Sequence, residues 1–272
     1  MNMATYRTIS SSIPEKWAEL FLSTANHPVF TYAGNPNSQD ALTLADIFNP
    51  KEHEDAITNA LSGDGTLSAE GLLLAEIFFE VILMKSQKSL EHFKKLSERY
   101  DDAINMMVKT EEQQLLFLQV TSRAWKLNKK RHIQILDKIF SLKYVSLDVL
   151  LTHIFNSELT PEMLDLILIT IKKVLARSQS LYSGIETIKR RLPELEGQEE
   201  RMKKATERLE DSQKKLEECQ AEEKSMFLRI FKELRGKGKN NFAKIYLRQN
   251  FDQVRGYLGE VKETMAEDYF EL

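Results

Sequence analysis

Residues 160–192 read TPEMLDLILITIKKVLARSQSLYSGIETIKRRL, and the spacing of their apolar side chains decides how this chain folds. Thr160 offers the hydroxyl of a helix N-cap, and Pro161 falls at the first helical position, where a missing amide proton breaks no bond. Ile167, Ile171, Val174, Ser178, Leu181, Ile185, Ile188 and Leu192 then recur in alternating steps of four and three. That rhythm keeps one stripe of a helix facing a partner helix along its whole length. Beyond Pro193 the series resumes with Leu195, Met202, Leu209 and Leu216, interleaved with the small or polar Gln198, Ala205, Ser212 and Cys219. Two geometries satisfy this pattern: a single helix kinked at Pro193, or an antiparallel hairpin turning within Leu192–Gln198. The closeness of Pro193 to Gly197 favours the turn. The same heptads could also drive a coiled-coil dimer between two copies.

Working back from this stretch, the chain reads as helix after helix. Ala69–Lys85 is apolar nearly all round and is expected at the centre of a core. Lys88–Val108 carries Leu90, Phe93, Leu96, Tyr100, Ile104 and Met107 on one amphipathic stripe, read as a single helix. Thr110-Glu111-Glu112-Gln113 is a capping box and starts another helix, which bears Leu116, Phe117, Val120 and Trp125. Lys129–Leu142 and Leu147–Phe155 follow after short links, as in stacked antiparallel helix pairs. Nearer the N-terminus, short helices are expected from Pro14, near Asp40–Phe48 and near Glu52–Leu61. Residues 1–12 read as disordered. After Phe227, Ile230 and Phe231 the sequence reads as globular again, with a basic loop Arg235–Lys239 and a last helix from about Asn241 to Met265. The resulting division is 1–12, a helical domain over 13–172, a coiled-coil hairpin over 173–224, and C-terminal helices over 225–272 that complete the helical domain.

Composition agrees with an all-α chain. Among 272 residues there are only 10 Gly and 6 Pro, and the residues that dominate are good helix formers. The 38 basic and 41 acidic side chains nearly balance, for a net charge of −3, which argues against indiscriminate binding to nucleic acid through a basic face. A single cysteine, Cys219, excludes an intrachain disulfide and fits a reducing compartment. No secretory leader is legible, and Leu72–Met84, the most apolar run, is too short for a bilayer and is interrupted by Glu76 and Glu80.

The sequence offers little chemistry. His27, His53, His92, His132 and His153 are scattered, with no HExxH, no glycine-rich phosphate loop and no nucleophile elbow. Asp101-Asp102 has no second acidic cluster at a spacing that would hold Mg²⁺. Cys219 lies in the heptad seam, where packing explains it. No catalytic residue, metal site or cofactor is expected. Two basic groups are candidate contacts for RNA or an acidic partner. Lys189, Arg190 and Arg191 lie near the tip of the hairpin; Arg235, Lys237 and Lys239 lie in a loop whose glycines would let the backbone approach a phosphate.

In order along the chain, Ile13-Pro14, Phe21, Ala25-Asn26-His27-Pro28 and Phe30-Thr31-Tyr32 are followed by Arg123-Ala124-Trp125-Lys126-Leu127-Asn128. Next come His153-Ile154-Phe155-Asn156-Ser157-Glu158-Leu159 and finally Ala221-Glu222-Glu223-Lys224-Ser225-Met226-Phe227-Leu228-Arg229-Ile230-Phe231. This series resembles the C-terminal domain of the large subunit of the nuclear cap-binding complex. That family has a "VWRN"-like stretch, a "WIFSSEL"-like segment before a long helical hairpin, and a "SEQKNLFLVIF"-like return. The resemblance implies a HEAT-like domain, the last of three in the family's large subunit, with no catalytic residues. It further implies docking to the small RRM subunit that binds the 7-methylguanosine cap, contact with capped RNA only through that subunit, and recruitment of RNA-processing and export factors. Nuclear residence follows from the same likeness, with shuttling to the cytoplasm left open. Two other readings stand beside it: an unrelated helical adaptor that homodimerises through its coiled coil, and a helical enzyme with a site the sequence hides.

Overall fold

A computed structural model describes residues 28–48, 54–63, 66–195 and 199–236. These residues form ten α-helices and one short 3₁₀ turn, with no strand among them. The helix expected from Pro14 and that near Asn241–Met265 lie outside the described residues. The chain divides into two compact units, one ending at His153 and the other starting at Ile154.

The first unit contains α1 (Gln39–Ile47), α2 (Glu54–Leu61), α3 (Gly71–Lys85), α4 (Leu90–Arg99), α5 (Asp101–Met107), α6 (Glu111–Ala124) and α7 (Lys129–Ser141); the division falls within α8 (Leu147–Asn156). Helix α3 is the axis of the core, as its all-round apolarity predicts: Ile77 to Leu83 are buried without interruption. It packs chiefly against α6, where the Phe79 and Phe117 rings stack with centroids 4.3 Å apart, and against α1. Phe48 joins this aromatic cluster, 5.7 Å from Phe78 and edge-on to Tyr100 at 4.7 Å. Burying each such ring contributes on the order of 2–3 kcal/mol, so these few contacts fix how α1, α3, α4 and α6 meet.

Helix boundaries follow local chemistry. Thr110 and Gln113 form the expected capping box at the start of α6: the Thr110 side chain accepts from the Gln113 amide at 3.2 Å, and the Gln113 side chain accepts from the Thr110 amide at 3.1 Å. Asn128 caps α7 by accepting from the Arg131 amide at 3.0 Å. One expectation is corrected. The stripe over Lys88–Val108 is not one helix but two, α4 and α5, bent at Tyr100 (φ −109°, ψ 33°). The bend brings the Tyr100 ring onto Phe48, and it seats Asp101 at the start of α5, where its carboxylate accepts from the Tyr144 hydroxyl at 2.7 Å. Both partners are far off in sequence, which is why the stripe alone did not show the break.

The second unit is built on α9 (Pro161–Arg191) and α10 (Glu199–Gly236), joined through a 3₁₀ turn at Leu192–Leu195. Thr160 caps α9 from the predicted position, with Pro161 next to it. The helices run antiparallel: Arg177 Nη1 meets Glu222 Oε2 at 3.3 Å, which decides for the hairpin over the kinked single helix. On the outer turns of α9 Ser178 and Ile185 are buried and Leu181, Glu186 and Ile188 half-buried, as is Leu192 in the turn. On α10 Cys219, Glu223, Met226 and Ile230 are buried, and the half-buried Ala205, Leu209, Ser212 and Leu216 continue the same steps of four and three toward the tip; Met202, expected in that series, is exposed instead. Helix α10 continues unbroken past Lys224 to Gly236. No helix among the described residues is long and apolar enough to cross a membrane.

Candidate interaction surfaces

The hairpin tip presents Lys189, Arg190 and Arg191 on the last turn of α9, all exposed. They do not form an undiluted cationic surface. Lys189 Nζ lies 3.2 Å from Glu186, and on the return arm Lys204 Nζ lies 2.8 Å from Glu200. Such exposed pairs contribute little to stability, but each cancels much of a cation's field at close range. Of the other predicted residues, Arg235 falls within the last turn of α10, where the backbone is helical and not the flexible loop expected; Lys237 and Lys239 lie outside the described residues.

A second basic surface lies where α6 turns into α7. Between Gln113 and Leu136 there is no Asp or Glu, while Arg123, Lys126, Lys129, Lys130 and Arg131 all fall there. Arg123 is committed inward, to Glu76 and Glu80. Lys126, Lys129 and Lys130 are exposed, and none of the three makes an ion pair among the described residues. The Arg131 guanidinium lies over the Trp125 ring, 5.5 Å from its centroid, and burial pushes its pKa down. An acid-free run in a chain with more acids than bases was the available signal for this surface.

Three polar clusters lie inside the first unit. The Glu80 carboxylate, 1 % exposed, accepts from the consecutive amides of Thr31 (2.9 Å), Tyr32 (2.6 Å) and Ala33 (3.1 Å) and from Arg123 Nη2 at 2.7 Å. Gly34 closes the turn after these amides with a φ of 78°, which glycine adopts without steric cost. Burial acts to lower the Arg123 pKa, but hydrogen bonds to Glu76 and Glu80 and their charges outweigh it, and the net shift is upward. Four donors on one buried carboxylate make a structural clasp, with no lone pair readily left for a substrate.

In the second cluster the sequence's scattered histidines meet. His132 Nε2 on α7 and His153 Nε2 on α8 lie 2.7 and 2.8 Å from the Ser122 hydroxyl on α6, which also faces the Leu118 carbonyl at 2.9 Å. The hydroxyl has one proton to share among Leu118 and the two rings, so at least one ring donates to Ser122. Desolvation lowers both histidine pKa values to about 4, with the charge of His153 adding to the effect at His132. In the third cluster, the Tyr144 hydroxyl lies between Asp101 and the Ser97 carbonyl, and burial followed by the bond to Asp101 holds its phenol well above the ordinary range. Cys219 lies in the hairpin seam, 2 % exposed, with its thiol raised by burial, as a packing role requires. Among the described residues no three His, Cys, Asp or Glu side chains are grouped to hold a metal ion.

Comparison with known proteins agrees with this architecture. The chain is 24 % identical over 260 residues to nuclear cap-binding protein subunit 1-B of Xenopus laevis, covering 85 % of this chain and 33 % of that protein. It is 23 % identical, with the same coverage, to nuclear cap-binding protein subunit 1 of Xenopus tropicalis. The chain thus spans about a third of the length of these relatives, and the resemblance read from the motifs is to the same kind of protein. A family model described as MIF4G like matches residues 30–249, well over half of the chain. With this match and its helices packed in HEAT-like fashion, the chain belongs to the MIF4G-like family.

Proposed function

We propose that this chain is a non-catalytic scaffold of the cap-binding type. It docks the small RRM subunit that holds the 7-methylguanosine cap, meets capped RNA through that subunit, and supports recruitment of RNA-processing and export factors in the nucleus. The observation that carries this reading is the likeness to nuclear cap-binding protein subunit 1 along 85 % of the chain. The polar clusters support it in a second way: Glu80, Ser122 and Tyr144 spend their hydrogen bonds on joining helices. The test is co-purification of the full chain with the small RRM subunit of the same organism, followed by titration with a 7-methyl-GTP analogue. The expected result is a stable complex that binds the analogue, with no binding by this chain alone. Failure to form any complex would refute docking by this chain.

A second reading, a homodimeric adaptor zipped through its heptads, is disfavoured by the hairpin itself. The seam positions of α9 are met by α10 of the same chain, so the heptads are already used. Light scattering separates the two readings, since a monomer excludes the adaptor.

A further inference from the structure

The turn between α6 and α7 concentrates donors that have no acceptor. Helix α7 starts with Lys129, Lys130 and Arg131 and has no acidic residue in its first turn. Cations at this end oppose the helix dipole, whose positive pole favours an anion there. Asn128 satisfies the Arg131 amide, while the amides of Lys129 and Lys130 remain at the open end of the helix. Two buried donors lie in the same place without a hydrogen-bond partner: Arg131 Nη2, and Nε1 of Trp125, a residue only 2 % exposed. The guanidinium covers the face of that same indole. A buried donor left unpaired is costly, and both of these belong to one arginine–indole contact at the start of α7.

We propose that this corner is a docking site for an acidic peptide segment of a partner protein, with a carboxylate held by Arg131 and the first turn of α7. Lys126, Lys129 and Lys130 surround the carboxylate, and the peptide's apolar side chain rests on Leu127, which stands 55 % exposed among the cations. Peptide is favoured over RNA because single-stranded RNA is gripped by exposed aromatic faces. Here the aromatic is buried under an arginine and the exposed apolar group is aliphatic. The proposal does not depend on docking of the small RRM subunit.

The test uses the full chain and fluorescence anisotropy. The probes are a short labelled peptide rich in Asp and Glu with two leucines, the same peptide with its carboxylates replaced by amides, and a labelled oligouridylate of equal length. The acidic peptide should bind and the amide version should not. Lys129→Glu with Lys130→Glu, both exposed and unpaired, should weaken binding by about tenfold or more. Arg131→Ala should do the same with the fold checked by circular dichroism. Leu127→Ser should weaken binding without altering its salt dependence, and Arg208→Glu with Lys214→Glu, both exposed on α10, should leave it unchanged. The proposal is overturned if the acidic peptide does not bind, if the Lys129 and Lys130 changes leave its affinity intact, or if the oligouridylate binds this corner in its place.

Discussion

The two units of this chain are held together in different ways. In the first, single side chains bridge residues far apart in sequence: Glu80 reaches Thr31 to Ala33 and Arg123, Ser122 reaches His153, and Tyr144 reaches Asp101. In the second, the long hairpin repeats one small contact along its length, with buried or half-buried positions recurring every three or four residues on the return arm from Ala205 to Ile230. A structure fixed by a few long-range polar contacts should fail when one is removed, whereas a repeated seam should average such a loss out. Each experiment that follows either widens that contrast or breaks it.

The largest effect is expected at Glu80. Replacement by alanine leaves the Thr31, Tyr32 and Ala33 amides without their acceptor and Arg123 with Glu76 alone, a loss on the order of 3 kcal/mol. Glu76 makes one bond to Arg123 at 2.7 Å and is 20 % exposed, so Glu76→Gln should cost about 1 kcal/mol or less. Urea unfolding followed by circular dichroism gives both numbers. If the two variants have equal midpoints, the clasp is not what organises the segment over Thr31–Ala33.

Next in size is the response to acid. His132 and His153 have pKa values of about 4 in the fold against 6.5 unfolded, so the unfolded chain takes up protons first. Their contribution is fully present above about pH 6.5 and is lost as pH falls from there toward 4. At about 1.4 kcal/mol for each pKa difference of one, the well-buried His153 contributes roughly 2–3 kcal/mol, and His132 somewhat less because it is partly exposed. Urea midpoints at neutral pH and near pH 5 should differ accordingly, and a variant with both histidines changed to glutamine should show a flatter profile. An unchanged slope in that variant would assign the acid sensitivity to other groups.

How much of this was legible divides along the same line. Much of the hairpin could be read from spacing, a local property: the seam positions Ile185, Leu209, Leu216 and Cys219 and the turn after Leu192 follow from it, while Met202, read into the same seam, is exposed. Helix caps at Thr110, Asn128 and Thr160 are equally local, and the first and last were named from sequence. Helix α3 was placed in the core by its apolarity, yet nothing local distinguished Glu80 within it as a clasp and Glu76 as its less buried neighbour. The meeting of His132 with His153 depends on α6, α7 and α8 packing so that Ser122 faces both, and no spacing encodes that. For the surfaces, the tip cations stood out as a cluster of basic letters, but their glutamate neighbours at helical spacing dilute them. The corner before α7 went unread because its evidence was an absence of acids combined with unpaired donors on Trp125 and Arg131, and only the second of these needs coordinates.

A smaller change tests whether the first unit also obeys local rules where it can. Lys143 ends α7 in the left-handed conformation, with a φ of 65° that glycine would adopt more easily. Lys143→Gly should stabilise the chain by about 1 kcal/mol or slightly less, after allowing for the extra freedom of glycine in the unfolded state. A raised midpoint in the same urea assay supports this. A lowered one would mean that the lysine side chain itself holds the α7–α8 link and that even this helix end is fixed by tertiary contacts.

The smallest effect belongs to the hairpin turn. Adding two glycines after Leu195 lengthens the connection between α9 and α10 without moving any seam position relative to its partner, because Arg177 opposite Glu222 sets the register further down. Loop closure costs only about 0.6 kcal/mol per doubling of length, so the midpoint should shift by less than that and the transition should stay cooperative. The outcome bears on the contrast directly. A large loss would show that Leu192–Leu195 is itself a fixed point like Glu80, and that the hairpin depends on one place after all. A negligible loss would locate its stability in the repeated seam.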